Sequence, residues 1–108
     1  STYRIMKLNY KVIYKVGMAP QKVSDCDQGF LYEIDGKATI IGEKGQRIPF
    51  DDFRRIHFHK LADFGNILEV EGVGWSIYLG AVLQISRQGF VVANNWKTKS
   101  MKDDLERL

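Results

Sequence analysis

The stretch that most restricts the fold is "FLYEIDGKATII", residues 30–41. Two alternating runs flank Asp35-Gly36. A two-residue link between such runs forms a type I′ turn, which needs positive φ at both central positions, and Asp-Gly tolerates that geometry. Further strand signals follow at short intervals: "QRIPF" (46–50), "FRRIHFHKL" (53–61), "ILEVE" (67–71), "WSIYLGAVLQIS" (75–86) and "FVVAN" (90–94). "EKG", "DFGN", "GVG" and "RQG" punctuate them. The pattern predicts seven strands from residue 30 onward. Pro49 has no N–H to give a ladder, so its strand belongs at an edge or a bulge. Residues 75–86 are apolar on both faces and are expected at the centre of the sheet.

The two ends of the chain differ from this middle. At the start, Leu8, Tyr10, Val12, Tyr14 and Val16 alternate with Lys7, Asn9, Lys11 and Lys15, with Ile13 the exception. Period 2 with β-branched and aromatic residues predicts a strand over residues 3–16, with a bulge or a change of partner at Ile5-Met6. At about 3.3 Å per residue that strand would reach roughly 46 Å. It therefore bends between two sheets or projects beyond the body of the domain. Residues 17–28, "GMAPQKVSDCDQ", read as a linker. At the other end, Met101, Leu105 and Leu108 recur at helical spacing, and Ser100 with Asp103 forms a capping-box-like start. These signals predict an amphipathic helix from about Thr98 to the end, stapled by Trp96, with its apolar stripe closing the open end of the sheet. The domain boundaries expected are a basic strand and linker at 1–28 and a β-rich domain at 29–108.

A chain of 108 residues with 44% apolar and 27% charged residues is one domain long and can bury a core without a metal or disulfide. The lone Cys26 forms no intrachain bridge, which points to a reducing, cytoplasmic setting. Arg4, Lys7, Lys11 and Lys15 break up any signal-peptide core, and the uncharged stretch 73–86 is too short and mixed to span a bilayer. The net charge of +3 is uneven. Residues 1–24 carry five bases and no acid, so the remaining eleven bases face all 13 acids. This density argues against nucleic acid as a partner.

Candidate chemistry concentrates in "QRIPFDDFRRIHFHKL", residues 46–61. Asp51 and Asp52 are adjacent, so in a strand they diverge, and in a turn they accept backbone hydrogen bonds. His57 and His59, at i and i+2, share one strand face with Arg55 and form a candidate ligand face. A zinc site would need a third ligand, with Asp63 and Glu69 the nearest donors. Cys26 lies between two aspartates, which oppose thiolate formation. The "GVGW" glycines precede a strand rather than a helix and read as a turn. No cofactor or metal is expected. Lys7, Lys11 and Lys15 on an aromatic-backed strand, with Tyr10 and Tyr14, form the candidate partner-binding set; basic edge strands also resist edge-to-edge pairing.

The stretches "GFLYEIDGKATII", "RIPFDDFRRI" and "GFVVANNWKTKSMKDDLERL", a run of short strands closed by one amphipathic helix, resemble the pleckstrin-homology-like superfold, in particular the bacterial PH-like and GRAM-type domains. The resemblance covers residues 30–108. It implies a mainly β fold: a seven-stranded antiparallel PH-like barrel or sandwich with one C-terminal helix, here with an extra N-terminal strand. Phosphoinositide-binding members carry a basic cluster around the first hairpin loop. Here that loop, "EIDGKA", holds only Lys37, which argues against phosphoinositide binding. The expected function is non-enzymatic protein binding or scaffolding through a sheet edge or the rim near the helix, with self-association through the N-terminal strand included. The alternatives are an anionic membrane-surface module and a metal-binding protein or small metalloenzyme using His57 and His59.

Overall fold

Residues 8–61, 65–85, 91–93 and 95–108 of the chain are described by a computed structural model. Lys7, the expected bulge at Ile5-Met6, Asp63 and the turns at 62–64 and 87–89 lie outside these residues. The Asp-Gly turn forms as its residues dictate: Asp35 and Gly36 both have positive φ, at 53° and 78°. It joins β2 (Asp27–Ile34) to β3 (Lys37–Gly42). The other strands are β1 (Asn9–Val16), β4 (Arg47–Phe50), β5 (Arg55–Leu61), β6 (Gly65–Gly72), β7 (Trp75–Ile85) and β8 (Val91–Ala93). The protein is mainly β, with an antiparallel sheet in the order β4-β3-β2-β1-β7-β6-β5 and with β8 paired to the far half of β7. One helix, α1 (Asn95–Glu106), closes the chain. The architecture is consistent with a PH-like sandwich.

The N-terminal strand is not peripheral. β1 pairs with β2 over Asn9–Tyr14 and with β7 over Val12–Val16. The sheet therefore runs straight across the boundary expected at residue 28. The middle of this strand is covered on both faces, and Val12, Ile13 and Tyr14 are all buried. Val12 and Tyr14 join Leu31, Ile40, Leu68, Val70, Leu79, Met101 and Leu105 in one core between the curled sheet and the helix. Ile13, the residue out of phase, points outward with Ile67 and Val82, where Val23, Cys26 and Tyr78 pack on it. The segment 17–28, expected as a linker, thus covers the outer face of the central strands. Its short 3-10 turn, Val23–Asp25, is fixed by backbone N–H groups of Gln21 and Lys22 donating to the Asp25 carboxylate at 2.9 and 3.1 Å.

Pro49 sits on β4, a terminal strand of the sheet, where a missing donor is tolerated. The long apolar β7 is central, paired with β1, β6 and β8. The glycine at 72 has a packing reason: a Cβ there would meet the Trp75 ring at about 2.1 Å. The helix starts at Asn95, earlier than expected, so Ser100 lies inside it and is no cap. Met101 and Leu105 are buried as their spacing predicts, with Thr98 beside them. Leu108 is exposed. The backbone N–H of Ala81 donates to Thr98 Oγ1 at 3.0 Å, so the helix also satisfies a donor in β7 just past the last β6 pair at Leu79. Among the described residues no helix is long and apolar enough to cross a membrane.

Candidate functional site

The inward and outward sides of β1 divide the residues expected to meet a partner. Tyr14 is 2% exposed. Burial, then the charge of Asp27, pushes its phenol pKa up. Tyr10 is half-buried, and its hydroxyl donates to the Asp104 carboxylate and lies 3.1 Å from Ser100 Oγ. Burial, then the bond to Asp104, raises its pKa. Both tyrosines are structural, Tyr10 as the tie between β1 and α1. Assigning them to a partner surface is therefore corrected, because the alternation that puts lysines outside puts these rings inside. Lys11 and Lys15 do point outward. The ammonium of Lys11 lies 5.9 Å from the Phe30 ring centroid. The edge-strand role expected for this segment is corrected too, since both backbone edges are taken over Val12–Tyr14.

Arg55, His57 and His59 share the outer face of β5, as the i, i+2 pattern requires. The β6 register sets carboxylates against them: Arg55 opposes Glu71, and His57 opposes Glu69. The Arg55 guanidinium reaches Glu71 at 3.3 Å, and His59 Nε2 lies 2.8 Å from Glu69 Oε1. The His57 and His59 rings are 5.9 Å apart, and Tyr78 lies 6.3 Å from His59. The bond from His59, followed by one from Tyr78, holds the Glu69 carboxyl below the usual carboxylate range. Burial and the same bond raise the Tyr78 phenol. A carboxylate held ionised beside a phenol held protonated is a satisfied network on an open surface. Among the described residues no three His, Cys, Asp or Glu groups come together to hold a metal.

The remaining candidates are structural in their geometry. Asp52 occupies the left-handed region at φ 54° in the turn after β4, and Asp51 reaches Lys37 at 3.9 Å; both aspartates are exposed. Burial, then Asp25, pushes the Cys26 thiol up to about 11, so it stays protonated. Gly74 has positive φ in the β6–β7 turn.

The sequence reading missed a groove of about 560 Å³ between β5 and α1, lined by Phe58, Asn66, Asn95, Trp96, Lys99, Lys102 and Asp103. Phe58 lies directly opposite the core residue Leu68, on the inward face, yet it is 40% exposed because the core stops short of it. Trp96 is 83% exposed. At about 100° per residue it lies across the helix from Thr98, Met101 and Leu105, so it cannot staple the helix start onto the sheet. That offset was the available signal. Asn95 Oδ1 accepts the Asn66 backbone N–H at 3.0 Å and fixes one end of the groove. β5 is the last strand on its side of the sheet, and among the described residues its second backbone edge has no strand partner. No family model, curated protein or solved structure matches the chain.

Proposed function

We propose that this chain is a non-enzymatic PH-like binding or scaffolding domain that engages a protein partner at the free edge of β5 and the groove beside α1. The observation that carries this reading is the juxtaposition of an unpaired strand edge with Phe58 and Trp96, two large exposed rings, on the groove wall. An extended peptide added to β5 would complete the ladder with its main chain and insert alternate side chains into the groove. Lys99 on the helix side favours an acidic segment, whereas Lys102 beside it is engaged by Glu106 at 2.9 Å. β4, the other terminal strand, is four residues long and interrupted by Pro49, so it is the poorer template. The unpaired Cys26 supports a reducing, cytoplasmic location. Self-association through residues 3–16 loses its support with the burial of β1 between β2 and β7.

Panning a random-peptide display library against the immobilised chain tests the proposal. Enrichment of extended sequences with acidic and large apolar residues, lost with Trp96→Ala, is the expected result. No enrichment over blank support, or enrichment indifferent to Trp96→Ala, would overturn it.

A further inference from the structure

The outer face of β1–β4 lies away from this groove and has its own chemistry. The register places Lys11 opposite Phe30, Phe30 opposite Ile41, and Ile41 opposite Arg47. These four residues form one row across four strands, with a cation at each end and apolar side chains between. Three inter-strand spacings of about 4.8 Å put the ends of the row roughly 14 Å apart. Tyr32 lies beside Phe30 with its ring near-parallel, the planes 14° and the centroids 5.9 Å apart. Phe30 is 36% exposed. Lys15 continues the cationic side of β1. Among the described residues no carboxylate forms an ion pair with Lys11, Lys15 or Arg47. Asp51 on this face is engaged by Lys37, and the pKa of the Asp25 carboxyl, on the segment folded over β1, is held down first by the Gln21 N–H and in part by the charge of Lys15.

We infer that this face is a binding site for single-stranded nucleic acid. Cations without carboxylate partners beside the exposed Phe30 and the half-buried Tyr32 match a ligand that alternates phosphates with flat bases: the bases stack on the two rings, and the phosphates meet Arg47 and Lys11, whose ammonium moves off the Phe30 ring. An acidic polypeptide would use the cations and leave the rings idle. A duplex would present its phosphates and hide the base faces. The charge counted along the sequence is too scattered to suggest such a site. The fold makes it by bringing Arg47 to Lys11.

The test is fluorescence anisotropy of a labelled uridine oligonucleotide, which forms no base pairs, against the intact chain at low ionic strength. Binding should saturate, weaken steadily with added salt, and exceed binding to a duplex of equal length. Phe30→Leu keeps an apolar side chain on the strand but removes the ring, and should weaken binding by about tenfold, the effect of losing one stacked base. Arg47→Ala should weaken it and flatten the salt dependence. Circular dichroism confirms that both variants fold. Absence of saturable binding would overturn the inference. So would equal binding to polyglutamate or to duplex, or indifference to Phe30→Leu in a folded variant.

Discussion

The outer surface of the sheet has two halves built by the same alternation and finished differently. On β5–β7 the outward side chains of β5 are met by carboxylates of β6: Arg55 pairs with Glu71, and His59 hydrogen-bonds Glu69, which stands opposite His57. On β1–β4 the outward cations Lys11 and Arg47 stand at the ends of an apolar row without carboxylate partners. Residue type along a strand does not distinguish these cases, since each half alternates polar and apolar side chains. Cross-strand register does, because it decides which side chain stands opposite which. A charged strand face is thus either self-satisfied or available, and only the pairing partner says which.

The first way to break the comparison is to show that the halves are separate units. Both drape over one core, so Leu79→Ala on β7 should cost about 2–5 kcal/mol and lower one cooperative urea transition. Two resolved transitions would mean the halves fold apart. A smaller effect tests the tie between β1 and the helix. Tyr10→Phe removes the donor to Asp104 and should cost about 1–3 kcal/mol by the same measurement. An unchanged midpoint would show that the tie contributes nothing.

The paired half should respond to pH through Glu69. Glu69 has a lowered folded pKa, so the unfolded chain binds more protons in the window between the two values. Its contribution is present above the ordinary carboxyl range and is lost as pH falls through the lowered folded value. Glu69→Gln should therefore destabilise by up to about 1 kcal/mol near neutrality, and the difference from the unmodified chain should shrink in acid. A difference that grew on acidification would reverse the assignment. Smallest of all, Arg47→Ala should leave stability within about 0.5 kcal/mol, since no carboxylate pairs with it. A clear loss would place Arg47 in the stability of the fold rather than on an available face.

Much of the fold was legible because its signals are local. The Asp-Gly turn, the edge position of Pro49 and the burial of Met101 and Leu105 each follow from a few neighbouring residues. The central place of β1 was not legible, since nothing near Val12 indicates Ala81 as its partner. Nor was the helix start: the side chain of Asn95 bonds to the backbone of Asn66, a distant residue. Ile13 looked like an error in the alternation, and its reason lay in the segment 17–28 folding over it. The face bearing His57 and His59 was read from spacing, whereas its neutralisation needed the β6 register. The groove was half visible, because Trp96 falls off the helix stripe, but Phe58 matched the buried pattern and gave no sign that the core ends before it.

The position of β1 also sets an order of events during synthesis. β1 cannot complete its ladder until residues 77–81 have emerged from the ribosome, because β7 supplies its second neighbour. Pairing across so much chain raises the contact order, which slows folding and leaves an unfinished strand edge exposed to other nascent chains in the interval. Lys11 and Lys15 ride on that strand, so the charges that face outward in the finished molecule also guard it against premature aggregation while it waits.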